Sequence, residues 1–183
     1  MMKKLLVTMM TCVMMAASLT ACSANGEQKQ EQQIKNDVAV TELTAAVAQE
    51  LGENYWPQQK VESADIAEMY GLNLDNIEEV VAEVPMMSVN ADLLLIAKAK
   101  DGKVEEVKKE VEAFRQCQVD ATMQYPMNVE KIAASSVQVV GNYVVYVQLG
   151  GDAAQLDTEE EIRAACEEDN KKAMEVIEQK LQA

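Results

Sequence analysis

Asp92 to Lys100 reads Asp-Leu-Leu-Leu-Ile-Ala-Lys-Ala-Lys, with Leu94 and Ile96 on one face of an extended segment and Leu93, Leu95 and Ala97 on the other. A strand that is apolar on both faces has no side to offer to water. It predicts a central strand covered on both sides, or one that the flanking helices cover. Every other element must therefore be found a place around it. A chain of 183 residues suits one domain, or a domain with an appended helix.

The neighbours follow from periodicity and punctuation. Ile77 to Val84 reads as a strand with Val80, Val81 and Val84 as candidate core, ended by Pro85. Asp101-Gly102 turns the chain into a helix from Lys103 to about Met123, with Val104, Val107, Val111 and Phe114 on one stripe. After Tyr125-Pro126, Asn128 is placed to cap a short turn through Ala133. Val137 to Val140 and Tyr143 to Leu149 flank Gly141-Asn142, a hairpin signal because both turn residues tolerate positive φ. Thr158 with Glu161 three residues on forms a capping box that starts a last helix running to Leu181. Upstream, Leu43, Ala46, Val47 and Leu51 recur at helical spacing before Gly52, and Ser63 to Tyr70 is a short helix stopped by Gly71. Two hairpins separated by a helix predict an α+β fold. Its four-stranded antiparallel sheet carries the central helix on one face and adds an N-terminal and a C-terminal helix.

The first residues have the layout of an export signal. Lys3 and Lys4 precede an uncharged apolar stretch, and Leu19-Thr20-Ala21-Cys22 closes the segment. The 17 residues from Leu5 to Ala21 reach the lower limit for a membrane span, which is the plainer alternative. The closing tetrapeptide resembles the lipobox of bacterial lipoproteins. That resemblance implies cleavage before Cys22, acylation of its thiol by a palmitate-type diacylglyceryl group, and anchoring at the extracytoplasmic face of the cell membrane. The expected divisions are a signal peptide over 1–21, a flexible tether over 22–36 and a single domain over 37–183, its last helix spanning about 158–182. Cleavage would remove Lys3 and Lys4, leaving 14 basic side chains against 31 acidic, a formal charge of −17. Six of the twelve methionines would leave with the signal as well.

A second resemblance rests on Met69-Tyr70-Gly71-Leu72, Val84-Pro85-Met86-Met87, Ala91-Asp92 and Lys100-Asp101-Gly102-Lys103-Val104, continued by Tyr125-Pro126 and Gly141-Asn142-Tyr143-Val144. Over about Val38 to Leu149 the chain resembles an uncharacterised family of short bacterial lipoproteins, domain of unknown function 4358. The resemblance implies the lipoprotein class and carries no activity or catalytic residue.

Composition narrows the chemistry. The chain has no histidine, which removes Ser-His-Asp and Cys-His nucleophile systems and imidazole metal sites. Its negative charge repels phosphate backbones, so no nucleic-acid partner is expected. After Cys12 and Cys22, Cys117 and Cys166 remain. They are candidates for a disulfide across about fifty residues, worth about 4 kcal/mol in the chain-entropy model, or else for two separate apolar thiols. The acidic run Glu159 to Glu161 is explained by the helix dipole, and the Asn73, Asp75 and Asn76 cluster lacks the glycine and closing glutamate of a calcium loop. No metal or cofactor is expected. Tyr55-Trp56-Pro57 and Pro85-Met86-Met87 place aromatic and methionine side chains on loops, so Tyr55, Trp56, Met86 and Met87 form a candidate recognition surface, weighed against core packing by Trp56. The reading that follows is a noncatalytic, membrane-anchored binding or interaction module. Its partner would be an envelope protein or small ligand. An envelope hydrolase using carboxylates and a structural accessory subunit of a membrane complex are the alternatives.

Overall fold

Leu93–Ala99 (β3) is the middle strand of a five-stranded antiparallel sheet in the computed structural model, which describes residues 34–183. The order across the sheet is β1-β2-β3-β5-β4, with β1 Gln59–Lys60, β2 Ile77–Val84, β4 Ser136–Val140 and β5 Tyr143–Gln148. Ala82 stands opposite Leu95, and Leu95 opposite Tyr146, so alternate residues of three adjacent strands share each face.

Helices cover both faces. Over one lie Val40–Leu51 (α1) and Glu159–Leu181 (α5), which bury Leu43, Val47, Ala173 and Ile177 against Leu94, Ile96, Val145 and Val147. Over the other lie Ser63–Tyr70 (α2) and Val104–Asp120 (α3), which bury Ile66, Tyr70, Val107 and Val111 against Leu95, Ala97, Val144 and Tyr146. Leu94, Leu95 and Ile96 are wholly buried, each worth ~1.5–3 kcal/mol of transfer free energy. The doubly apolar strand is thus the central layer of three. Phe114 stands edge-on between Tyr70 and Tyr146, with ring centroids 4.9 and 5.6 Å away.

The α+β class and the two hairpins are as expected, with two differences. The sheet gains β1, because after Tyr55-Trp56-Pro57 the chain runs briefly beside β2, pairing Gln59 with Val84 and Lys60 with Glu83. The stretch after Tyr125 is a full helix, Pro126–Ala134 (α4), with Tyr125 as N-cap and Pro126 in its first turn. Asn128 therefore does not cap it. At the hairpin, Gly141 takes φ 57°, as the two-residue turn requires. Thr158 caps α5 by accepting the Glu161 N–H at 3.2 Å.

The signal peptide, Cys22 and most of the expected tether lie outside the described residues. Its last three residues belong to the fold. Ile34 bridges to Gln182 and packs on the α1/α5 core, Lys35 N–H donates to Leu181 O at 2.7 Å, and Asn36 Oδ1 accepts the Asn142 N–H at 3.1 Å. The chain thus joins the domain at the hairpin end of the sheet. Among the described residues no helix is long and apolar enough to cross a membrane.

Candidate functional site

At the opposite end of the sheet the β2–β3 loop, the start of α4 and the segment after α1 come together. Pro85 is buried and fixes the loop at its root, while Met86 is 81% and Met87 55% exposed. With Glu53, the half-buried Trp56 and Gln58 they line a cleft of about 190 Å³. Three of the four residues expected to form a recognition surface are therefore neighbours. Tyr55 is not one of them. It is buried in the α1/α5 core, and its hydroxyl donates to Glu83 Oε2 at 2.6 Å while Thr44 Oγ1 donates to Oε1 at 3.0 Å. Burial and the Glu83 carboxylate raise the Tyr55 pKa. The physical reason is alternation along an extended segment, which turns Tyr55 inward and leaves Trp56 at the surface.

Other apolar side chains are exposed on this loop and on the approach to α4. Val89 in the same loop is exposed, as are Tyr125 and Met127 at the start of α4 and Met123 just before it. The buried Asn128 side chain joins the two segments. Its amide donates to Val89 O at 2.9 Å and its Oδ1 accepts the Ala91 N–H at 3.2 Å. Methionine side chains adapt to varied apolar partners, which makes exposed ones candidates for recognition.

Beneath this surface is a buried ion pair. Asp92 and Lys131 meet with side chains 0% and 2% exposed. Lys131 Nζ also donates to Asn90 Oδ1 at 2.9 Å, and the second Asp92 oxygen accepts the Gly151 N–H at 3.3 Å. Asp92 Oδ1 has the Lys131 ammonium as its counterion and no further hydrogen bond. Burial holds the Asp92 carboxyl above the ordinary aspartate range, with Lys131 and Gly151 pulling the other way. Gln148 reaches Ala91 O and in turn receives the Tyr146 hydroxyl. Asn170 of α5 accepts the Leu149 N–H at 2.9 Å and donates to Ala134 O at 3.0 Å. The network joins the β2–β3 loop, α4, the end of β5 and α5. Its chemistry is positional: it fixes the segments that carry the exposed methionines.

Cys166 belongs to this interior. Its thiol is buried, and burial pushes its pKa up to about 11. Gly150 packs so closely that a β-carbon there would lie 2.5 Å from Cys166 Sγ and 2.9 Å from Lys131 Cε. Cys117 is exposed on α3, across the sheet from the α1/α5 layer, and among the described residues neither thiol is bonded. The disulfide expectation is corrected accordingly: helices in different layers carry the two cysteines. Only Cys166 fits the alternative of a buried apolar thiol.

Sequence reasoning missed the Asp92–Lys131 pair. Its one local signal is Asp92 standing immediately before a strand otherwise free of acids.

The family model described as Domain of unknown function (DUF4358) matches residues 50–149. No curated protein and no solved structure matches the chain. The matched span runs from the end of α1 to the end of β5, so it holds the exposed loop, α4 and the ion pair.

Proposed function

The chain belongs to the family described as domain of unknown function (DUF4358), and we propose that it acts as a noncatalytic interaction module, held at the outer face of the cell membrane by a lipid on Cys22. The observation that carries the interaction reading is the exposure of Met86, Met87 and Val89, beside Trp56 and Tyr125, on segments pinned from below by buried hydrogen bonds and an ion pair. An exposed apolar surface on a rigid support suits binding, because little ordering entropy is lost on association. Within the domain Ile34 lies at the other end of the sheet from the methionine surface. The lipid reading rests on Leu19-Thr20-Ala21-Cys22. Two acyl chains hold a protein stably where one would not, at about 0.8 kcal/mol per buried methylene.

Both parts are testable in the intact cell. A photo-reactive amino acid at Met87 should crosslink one discrete partner, lost when Met86→Asp is added, while the same probe at Glu105 on the solvent face of α3 should not. Equal crosslinking from both positions would refute the recognition surface. Labelled palmitate should enter the chain and not Cys22→Ser; labelling of the variant would refute the anchor.

A further inference from the structure

The two edges of the sheet are finished differently. On one side β2 is covered by β1, a two-residue strand that carries Lys60 and follows Pro57. Val61 N–H extends the cover by donating to Ala82 O at 2.9 Å. A short strand with a lysine and a nearby proline protects an edge from further pairing. The other edge is β4, Ser-Val-Gln-Val-Val, which has no charge, no proline and no register break against β5.

Register decides which of its groups are free. Val140 and Tyr143 flank the turn and exchange hydrogen bonds, so Gln138 with Val145 and Ser136 with Val147 do the same. Ala99 N–H donates to Asn142 O at 2.8 Å, which fixes the parity by turning alternate β5 residues toward β3. The N–H and C=O of Val137 and Val139 therefore point away from the sheet. Arg115 Nε donates to Ser135 O at 2.9 Å and closes the start of this row. Among the described residues nothing closes it at Val137 or Val139, and the Val139 side chain is 39% exposed.

We propose that β4 pairs antiparallel with β4 of a second copy, joining two sheets edge to edge about a two-fold axis at Gln138. Val137 then stands opposite Val139 of the second copy, and Val139 opposite the second copy's Val137. Both pairs exchange N–H and C=O groups. Such a contact is isologous and closes on itself. Three features fit a second copy. The edge is uncharged, so a chain of net charge −15 can meet itself there without opposing like charges on the strand. Helix α5 runs beside β4, with Asn170 at Ala134 and Leu181 near the turn, so the axis sets Lys171 toward Glu178 of the second copy. Among the described residues Lys171 pairs only with the exposed Glu175, at 3.7 Å. Between β4 and α5 a groove of about 260 Å³, lined by Ser136, Gln138 and Met174 among others, leaves room for side chains of an added strand.

The register gives a sharp test in the full-length chain carrying Cys12→Ser, Cys22→Ser and Cys117→Ser. Gln138→Cys places two thiols at the axis, in a non-hydrogen-bonded pair with β-carbons about 4.5–5.5 Å apart, close enough to bridge with slight adjustment. Ser136→Cys places them about 13 Å apart along the strands. Mild oxidation should give covalent dimer at least about ten times faster from Gln138→Cys than from Ser136→Cys. Adding Val139→Pro removes an edge donor without touching the β5 ladder. It should suppress the crosslink with the circular dichroism spectrum unchanged. Equal rates at the two positions, no dimer from either in a chain of native spectrum, or a crosslink indifferent to Val139→Pro would overturn the proposal.

Discussion

Replacing Lys131 by methionine removes an ammonium and keeps a stem of similar length. It leaves the Asp92 carboxylate, whose side chain is 0% exposed, with the Gly151 N–H at 3.3 Å as its remaining partner. Two outcomes bound the cost. If Asp92 stays ionised, an uncompensated buried charge costs ~3–5 kcal/mol. If it protonates instead, the cost is that of neutralising an aspartate of ordinary pKa ~3.9 at the working pH. At about 1.36 kcal/mol per unit this is about 4 kcal/mol at pH 7 and about 1.5 kcal/mol at pH 5. The smaller cost governs, so Lys131→Met should lose about 4 kcal/mol at pH 7 and distinctly less at pH 5. The sign follows from linkage. With its counterion gone, Asp92 has a folded pKa further above the unfolded one, and stability present at low pH is lost as pH rises toward the folded value. Urea unfolding of the full chain at both pH values reads this directly. With an m-value of ~1–3 kcal/mol/M the midpoint at pH 7 should fall by roughly 2 M. Adding Asp92→Leu to Lys131→Met should recover most of the loss, because removing both members of a buried pair is often nearly neutral. A loss under about 1 kcal/mol at pH 7, or an equal loss at both pH values, would refute the reasoning.

Three further outcomes follow from the same interior. Gly150→Ala should destabilise by ~1–3 kcal/mol through overpacking against Cys166 Sγ and Lys131 Cε. Combining it with Cys166→Ala should cost less than the sum of the two single changes in urea unfolding, and strict additivity would argue against the clash. At pH 8 Cys166, with a pKa of about 11, exposes roughly one thiolate in a thousand. Peptide mapping after brief maleimide treatment of native protein should find Cys117 modified and Cys166 intact; equal labelling, or a peptide bridged from Cys117 to Cys166, would contradict the structure. Tyr55→Phe removes one of two hydroxyl donors from the buried Glu83 carboxylate and should cost ~1.5–3 kcal/mol. An unchanged melting temperature would show that Glu83 does not depend on that bond.

What the sequence makes readable here is what neighbours along the chain decide. The doubly apolar Leu93–Ala99, the Gly141-Asn142 turn and the Thr158 cap each carry their cause within a few residues, and each stands where it was expected. Strand β1 carries no such cause. Gln59 and Lys60 are exposed and have no alternating pattern, and only the free edge of β2 makes them a strand. Choosing between Tyr55 and Trp56 as the core residue depended on the phase of an extended segment fixed by Glu83, which is 28 residues away. The ion pair shows the limit most clearly. Asn-Val-Glu-Lys-Ile in α4 has the composition of a solvated helix face, and long charged side chains are almost never fully buried unless paired. Lys131 is buried because Asp92 and Asn90 arrive from the end of the β2–β3 loop and Gly151, from beyond β5, holds Asp92 in place, so its environment is made of segments far apart in sequence. Local reading therefore finds the exposed methionines and misses the framework beneath them. That framework holds the base of the loop on which Met86, Met87 and Val89 are exposed.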